Sequence, residues 1–173
     1  RYLYLWLKEL NPEIYVHSGI HRREAHKHRG KNTANMFFHE NKVRVVTEKD
    51  FSQAEYLYTY FFPEPDGTVS LKVVTKLDQK LREEEFRGRP GENDLDRFCE
   101  YHLCRMLYRQ LEDATGISLA WGMLTGVRPV RLIYRYRERG MDDGQIRKHL
   151  HRDYFVTDEK IDLLLRTADK EKA

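Results

Sequence analysis

Cysteine is scarce in this sequence, which has only Cys99 and Cys104 among its 173 residues. On a helix these two side chains would point to faces about 140° apart, because each residue advances the helix by about 100°. The spacing therefore predicts neither a disulfide nor a CxxC metal site, and it indicates a reducing, cytoplasmic setting. Cys99 is predicted to be a small buried apolar residue and not a reactive thiol.

Long apolar runs and an excess of one charge are missing as well. No stretch approaches the roughly 20 apolar residues that a membrane-spanning helix requires, and no signal peptide is visible. We therefore expect no membrane partner. The sequence has 31 Lys and Arg against 28 Asp and Glu, a net charge of +3. A charge so evenly mixed disfavours nucleic acid as the partner.

What the sequence does have is enough apolar and aromatic surface for a core. The apolar fraction is 40%, and eleven tyrosines and eight phenylalanines favour packed sheet surfaces. We predict an α+β fold in two parts. Residues 1–116 form a mainly antiparallel sheet with covering helices, and residues 117–173 form a cluster of short helices. Because the chain starts at Arg1 and ends in a charged helical stretch, we interpret it as a piece of a longer protein.

Strands are predicted in the first part from β-branched and aromatic runs with alternating patterns. These runs cover residues 2–7, 42–47, 55–62 and 69–77. Asp66-Gly67 predicts a hairpin between the last two strands. The charged residues 80–91 are predicted to form a loop.

Two features of the first part leave alternatives open. Tyr56, Tyr58, Tyr60 and Phe62 fall on one side of a strand, where they could stack bases but more commonly pack against neighbouring strands. The basic segment 17–32 holds four histidines, but no cysteine or carboxylate pattern completes a metal-ligand set. We interpret that segment as a solvated helix or loop, with phosphate or nucleic-acid contact as the alternative.

Helical spacing dominates from residue 93 onward. A helix capped by Asn93 or Asp94 runs to about Ala114, and Gly116 is predicted to end it in a left-handed conformation. Three short helices follow, from about Pro129 to Arg139, from Asp142 with a capping box to Gln145, and from Thr157.

The first short helix carries a row of arginines. Arg128, Arg131, Arg135 and Arg139 fall within roughly 80° of one another if all four are helical. Guanidinium groups suit carboxylates and phosphates. One interpretation is a solvated face with intrachain Asp and Glu partners, and the other is contact with a ligand or a partner domain.

The stretch that precedes this helix and runs into it resembles a known protein family. Residues 115–132, Thr-Gly-Ile-Ser-Leu-Ala-Trp-Gly-Met-Leu-Thr-Gly-Val-Arg-Pro-Val-Arg-Leu, resemble a segment of the oxygen-independent coproporphyrinogen III oxidases of the HemZ type. These are radical S-adenosylmethionine proteins. The likeness continues through Gly140-Met141, Asp153–Val156 and residues 158–165, whereas the first 115 residues resemble the family only in outline.

The resemblance implies an accessory N-terminal region of a cytoplasmic oxidoreductase. The parent would oxidatively decarboxylate coproporphyrinogen III in porphyrin and haem synthesis. Its radical domain would carry a CxxxCxxC motif that holds a [4Fe–4S] cluster and leaves one iron for S-adenosylmethionine. This sequence has no CxxxCxxC, so we expect both cofactors in the parent's following domain and no metal, cofactor or catalytic residue here.

The same resemblance suggests partners for this region. They are the parent's own C-terminal radical domain and the acidic side chains of a tetrapyrrole. The candidate docking or substrate-holding residues are Trp121, Thr125, Gly126, Arg128, Arg131, Arg135 and Arg139. The alternative is a basic nucleic-acid-binding or protein-interaction module without a role in an enzyme.

Overall fold

The computed structural model describes residues 13–18, 36, 42–46, 55–92, 94–124 and 128–171. The chain divides into two compact units, Arg1–Ile117 and Ser118–Ala173. We call them the sheet unit and the helical unit. The strand predicted at residues 2–7 and most of the basic segment 17–32 lie outside the described residues.

Five strands form one sheet in the order β2-β1-β3-β4-β5. They are β1 (Glu13–Ser18), β2 (Lys42–Val46), β3 (Tyr56–Pro63), β4 (Val69–Leu77) and β5 (Lys80–Gly88). β1 pairs in parallel with β2 and β3, and β3, β4 and β5 form an antiparallel meander with longer ladders. The predicted α+β class with a mainly antiparallel sheet is confirmed. β1 itself was missed: its first four residues were not assigned to any element, and His17 and Ser18 were included in the segment assigned to a loop or helix.

Two tight turns build the meander. In the β3–β4 turn the Gly67 amide donates to the Glu64 carbonyl at 3.1 Å, and Gly67 has a φ of 79°, which glycine tolerates without strain. This is the predicted hairpin. The β4–β5 turn places Asp78 and Gln79 at φ values of 49° and 60°, and two consecutive positive values match the strand twist.

The loop predicted for residues 80–91 is wrong for most of its length, because β5 occupies Lys80–Gly88. Its charges misled the prediction, but Glu83 and Glu85 find a partner across the sheet. Lys72 on β4 lies 2.8 Å from Glu83 and 3.0 Å from Glu85. β5 is an edge strand of the described sheet, and charged side chains on an edge strand discourage pairing with other chains.

One long helix, α1 (Leu95–Thr115), packs on β4 and β5. Its buried side chains recur at helical spacing and include Cys99, Leu103, Met106, Leu107 and Leu111. A polar clamp fixes it to the sheet, since Thr75 Oγ1 donates to Gln110 Oε1 at 2.8 Å and Gln110 Nε2 donates to the Val73 carbonyl at 3.2 Å. Gly116 ends α1 with a φ of 67°, as predicted.

The helical unit consists of α2 (Val130–Glu138), α3 (Asp143–Tyr154) and α4 (Asp158–Lys170). Their shared core includes Ile133, Ile146, Leu150, Val156 and Ile161, all 0% exposed. The predicted capping box is present, with the Gln145 amide donating to Asp142 Oδ1 at 2.7 Å and the Asp142 amide donating to Gln145 Oε1 at 3.0 Å. No helix within the described ranges is long and apolar enough to cross a membrane.

The aromatic row on β3 packs along its own strand. The Tyr56 and Tyr58 rings lie 4.8 Å apart, and the row continues through Tyr60 to Phe62. Tyr56 and Tyr58 are 7% and 1% exposed, whereas Phe62 is 46% exposed. The packing interpretation is confirmed for the two buried tyrosines. Their contacts run along the strand as well as across it.

Candidate functional site

The segment before α2 is locked onto the turn between α3 and α4. Met123 donates its amide hydrogen to the Tyr154 carbonyl at 2.9 Å, and the Thr157 amide donates to the Ala120 carbonyl at 3.1 Å. The Thr157 hydroxyl donates to that same carbonyl at 3.2 Å. The turn and the segment thus hold each other in place. Both belong to the stretch whose sequence resembles the HemZ-type proteins.

Gly122 sits where the two backbones approach most closely. It has a φ of 55°, and a Cβ atom there would collide with the Tyr154 carbonyl oxygen and the Phe155 backbone. Phe155 is itself left-handed, at a φ of 58°. The Trp-Gly pair of the family-like motif therefore has a structural explanation, because a residue with a side chain does not fit at position 122.

Trp121, predicted as a docking candidate, is half-buried and packs against the core of the helical unit. Lys160 lies over its ring at 5.7 Å from the centroid, close enough for a cation–π contact. The structure therefore gives Trp121 a packing role within this unit. Two other candidates, Thr125 and Gly126, lie outside the described residues.

The arginine row is three residues long on the helix and not four. α2 begins at Val130, and Arg128 precedes it with a φ of 116°, so helical spacing does not apply to Arg128. Arg131, Arg135 and Arg139 do follow the helix, with Arg139 as its C-terminal cap. We call these three residues the arginine stripe. All three, and Arg128, are exposed.

The stripe differs from the other arginine of α2. Arg137 is bound to two acids, with Nη2 lying 2.9 Å from Asp143 and Nη1 2.8 Å from Asp169. These contacts raise the pKa of Arg137 and tie α2 to the other two helices. No stripe side chain makes an ion pair or hydrogen bond with the described part of the chain. The intrachain partners that one interpretation expected are therefore not found for the stripe among these residues.

The net charge of the chain resides in the helical unit. Residues 118–173 contain twelve Lys and Arg against nine Asp and Glu, whereas residues 1–117 contain nineteen of each. The surplus equals the three arginines of the stripe. Elsewhere in the unit, acidic side chains form ion pairs with other basic residues, as Asp158 and Asp162 do with Arg147. The stripe is therefore a local surplus of positive charge that can attract an anion.

A polar cluster beside the stripe was missed by sequence reasoning. His149 Nδ1 lies 2.5 Å from Asp153 Oδ2, and the ring of His149 contacts Tyr136 and Tyr154 edge-on. Hydrogen bonds from Arg152 and the charge of His149 hold the pKa of Asp153 below its usual value, and burial raises that of Tyr136. The spacing of His149 and Asp153 by four residues was the available signal. The cluster joins α2 to the end of α3.

Neither unit shows a metal or thiol site in its described residues. No group of three or more His, Cys, Asp or Glu side chains there could hold a metal ion. Cys99 is 1% exposed, and burial raises the pKa of its thiol to about 11. The prediction that Cys99 is buried is confirmed by this exposure, and a raised pKa disfavours the reactive thiolate form.

The sheet unit has a groove over β4, on the face that carries the aromatic row. Its volume is ≈ 420 Å³, and its lining includes Tyr60, Phe62, Lys72, Leu81 and Glu83. Lys72 is held by Glu83 and Glu85. The groove is therefore lined by both apolar and polar side chains, and its lysine has acidic partners, unlike the stripe.

Comparison with known proteins shows that this chain is similar to a curated protein. The chain is 27% identical over 157 residues to the oxygen-independent coproporphyrinogen-III oxidase-like protein HemZ of Bacillus subtilis (strain 168), covering 90% of this chain and 30% of that protein. No family model matches the chain. Among solved structures, the crystal structure of an uncharacterized protein aligns with 60% of this chain. The alignment covers 92% of the solved chain at 8% sequence identity. Its TM-score of 0.36 is too low to define a shared fold.

These findings agree with the resemblance carried by residues 115–132, and they extend it over most of the chain. The match spans less than a third of the relative's length. The chain is therefore similar to this HemZ protein over most of its own length, and the matched stretch is consistent with an N-terminal region.

Proposed function

We propose that this chain is an accessory N-terminal region of a radical oxidoreductase that acts on coproporphyrinogen III. The match to HemZ over 90% of the chain supports this. The region contributes no reacting group of its own. Its contribution is a rigid helical unit that presents the arginine stripe to a partner or a substrate.

The described residues do not fit the cofactors of such an enzyme. A [4Fe–4S] cluster needs several thiolate ligands, and Cys99 is buried with a raised pKa. Cys104 lies five residues away on the same helix and completes no set of three. The cluster and S-adenosylmethionine therefore belong to another part of the parent protein, and no step of the reaction is assigned to this region.

The observation that carries the proposal is the contrast between Arg137 and the stripe. Three exposed guanidinium groups without acidic partners in the described chain leave room for carboxylates from outside. Those carboxylates belong either to the parent's catalytic domain or to the acidic side chains of a tetrapyrrole. Either role makes the region a positioning element of the parent enzyme.

The experiment uses the full-length parent protein, reconstituted anaerobically with iron and sulfide. We expect about four irons per chain, cleavage of S-adenosylmethionine and decarboxylation of coproporphyrinogen III. The double variant Arg131→Ala with Arg135→Ala should lower activity or the melting temperature, and the matched control Lys148→Ala should leave both unchanged. Unchanged substrate affinity together with unchanged melting in the double variant would remove the stripe from the proposal.

A nucleic-acid-binding module is the second candidate, because arginines on one helix face also suit phosphates. Such binding would weaken steeply with salt, since each neutralised phosphate releases counterions. Fluorescence anisotropy with a labelled 20-nucleotide strand at two salt concentrations measures this directly. Affinity that falls steeply with salt and is lost in the double variant would favour this candidate.

A further inference from the structure

We infer that the arginine stripe docks on an acidic protein surface of another domain of the same parent protein, and not on a small molecule or a nucleic acid. The inference rests on the proposed function, because it takes the stripe as that region's contact site. It goes further by naming the occupant and its chemistry. Three properties of the stripe carry it: its shape, its rigidity and its charged surroundings.

The shape favours a macromolecular surface. Arg131, Arg135 and Arg139 are all exposed along the outside of a helix, whereas small-molecule sites are concave and bury most of their ligand. The row from Arg131 to Arg139 spans about 12 Å of helix axis at about 1.5 Å per residue. Several acidic side chains of a protein surface can be spaced along that length, and they do not need the enclosing pocket that a small molecule does.

The stripe is also held rigidly. On the opposite side of α2, Val130, Ile133 and Tyr136 are buried in the core of the helical unit. Arg137 is bound to Asp143 on α3 and to Asp169 on α4. These contacts fix the rotation of α2, so the backbone positions of the three arginines form a preset row. Such preorganisation lowers the entropy cost of binding a partner surface.

The surroundings of the stripe favour a protein over a nucleic acid. Without the stripe, residues 118–173 have nine Lys and Arg and nine Asp and Glu. Glu138 lies on the same helix, Asp142 follows shortly after it, and both are exposed. A nucleic-acid backbone with continuous negative charge would be repelled by these carboxylates. A protein surface of mixed charge can place basic groups opposite them.

The test is arginine-specific labelling of the full-length parent with phenylglyoxal, read residue by residue by mass spectrometry. Arg166, an exposed arginine of α4, serves as the internal reference. At low salt we expect the stripe to be labelled at least about tenfold more slowly than Arg166, because docking covers it. About 1 M salt should remove this protection, since it screens exposed ion pairs.

Charge-reversal variants sharpen the test. In Arg131→Glu with Arg135→Glu, the remaining Arg139 should be labelled at the rate of Arg166. In the matched control Lys148→Glu, an exposed site on α3, Arg139 should stay protected. Loss of protection in a control that melts like the wild type would overturn the inference, because protection would then not depend specifically on the stripe.

Other outcomes assign a different occupant. Labelling of the wild-type stripe at the Arg166 rate overturns the inference. If protection then appears only after adding coproporphyrin III, the stripe binds the substrate, and if only after adding a 20-nucleotide strand, it binds nucleic acid. The decarboxylation assay separates this failure from failure of the proposed function. If the stripe is protected in a protein that does not convert coproporphyrinogen III, the docking inference stands and the proposed enzymatic function is wrong.

Discussion

The two units of the chain differ in how many of their clustered charged side chains form ion pairs among the described residues. In the sheet unit, the most highly charged element, β5, has its acids engaged across the sheet and helix, with Lys72 held by Glu83 and Glu85 and Arg109 lying 3.0 Å from Glu84. In the helical unit, Arg137 and Arg147 are engaged in the same way, but the stripe is not. The comparison teaches that charge density alone does not mark a contact surface. Our proposal of a contact surface rests on the arginines that have no acidic partner in the described residues.

The units also differ in what holds them together. A helix clamped to a strand by the buried pair of Gln110 and Thr75 secures the sheet unit. The helical unit depends on the close backbone contact between Gly122 and the turn at Tyr154 and Phe155. Each of these contacts can be broken by one substitution.

The largest effect is expected at Gly122. Gly122→Ala should destabilise the helical unit by roughly 3 kcal/mol or more, because the added Cβ collides with backbone that cannot move aside. Gly140→Ala is the control, since Gly140 has a similar φ of 79° but open space around it, and it should cost only about 1 kcal/mol. Urea unfolding followed by Trp121 fluorescence in a Trp6→Phe background measures both. Equal losses would mean that the positive φ and not the close contact makes glycine necessary.

The clamp of the sheet unit comes next. Gln110→Ala should cost about 2 kcal/mol, because the buried hydroxyl of Thr75 loses its acceptor. Gln110→Leu combined with Thr75→Val should recover most of this loss, since replacing both partners by apolar groups of similar shape is nearly neutral. A double-mutant cycle from urea midpoints gives the coupling. Additive single losses would show that the two side chains act independently.

Glu55 offers a pH-dependent test of the sheet unit. It is 7% exposed, its Oε2 has no hydrogen-bond partner, and burial raises its pKa above the usual value. A raised carboxyl pKa gives stability that is fully present below the unfolded pKa and is lost as pH rises through the folded pKa. Glu55→Gln should therefore stabilise the protein by about 1 kcal/mol at pH 7. The gain should vanish near pH 4, and thermal melts at the two pH values would contradict this if they showed the same gain.

The smallest effect separates the two kinds of arginine on α2. Arg137→Ala should destabilise the helical unit by about 1 kcal/mol through its two half-exposed acid partners. Arg135→Ala should change stability by less than about 0.5 kcal/mol, because an exposed side chain without partners contributes little. Both follow from the same urea experiment. A larger loss at Arg135 would show that the stripe supports the fold.

Local patterns in the sequence predicted the parts of the fold that local physics decides. The apolar spacing of α1, the left-handed end at Gly116 and the capping box at Asp142 all depend on neighbours within a few residues. β5 was missed because its charges are matched by Lys72 and Arg109, residues distant in sequence. Strand identity there depends on pairing, which a local pattern does not contain.

The candidate site was predictable to a similar degree. Helical spacing found Arg131, Arg135 and Arg139, and it failed at Arg128 because the helix starts two residues later. The sequence could not show that Arg137 is engaged and the stripe is not, since Asp169 comes from a different helix. Nor could it show that Gly122 and the turn at Phe155 are in contact.

The position of β1 between β2 and β3 has a consequence for how the sheet forms. β1 pairs with β2 and β3, and in the second ladder Tyr15 meets Tyr56, far along the chain. The meander of β3, β4 and β5 needs only two tight turns, and contacts between near neighbours form fastest. During synthesis, β1 and β2 leave the ribosome before their partner β3 exists. β1 and β2 are therefore synthesised before β3, but they join the sheet after the meander has formed. Until then, one edge of β1 has no partner strand and can pair wrongly.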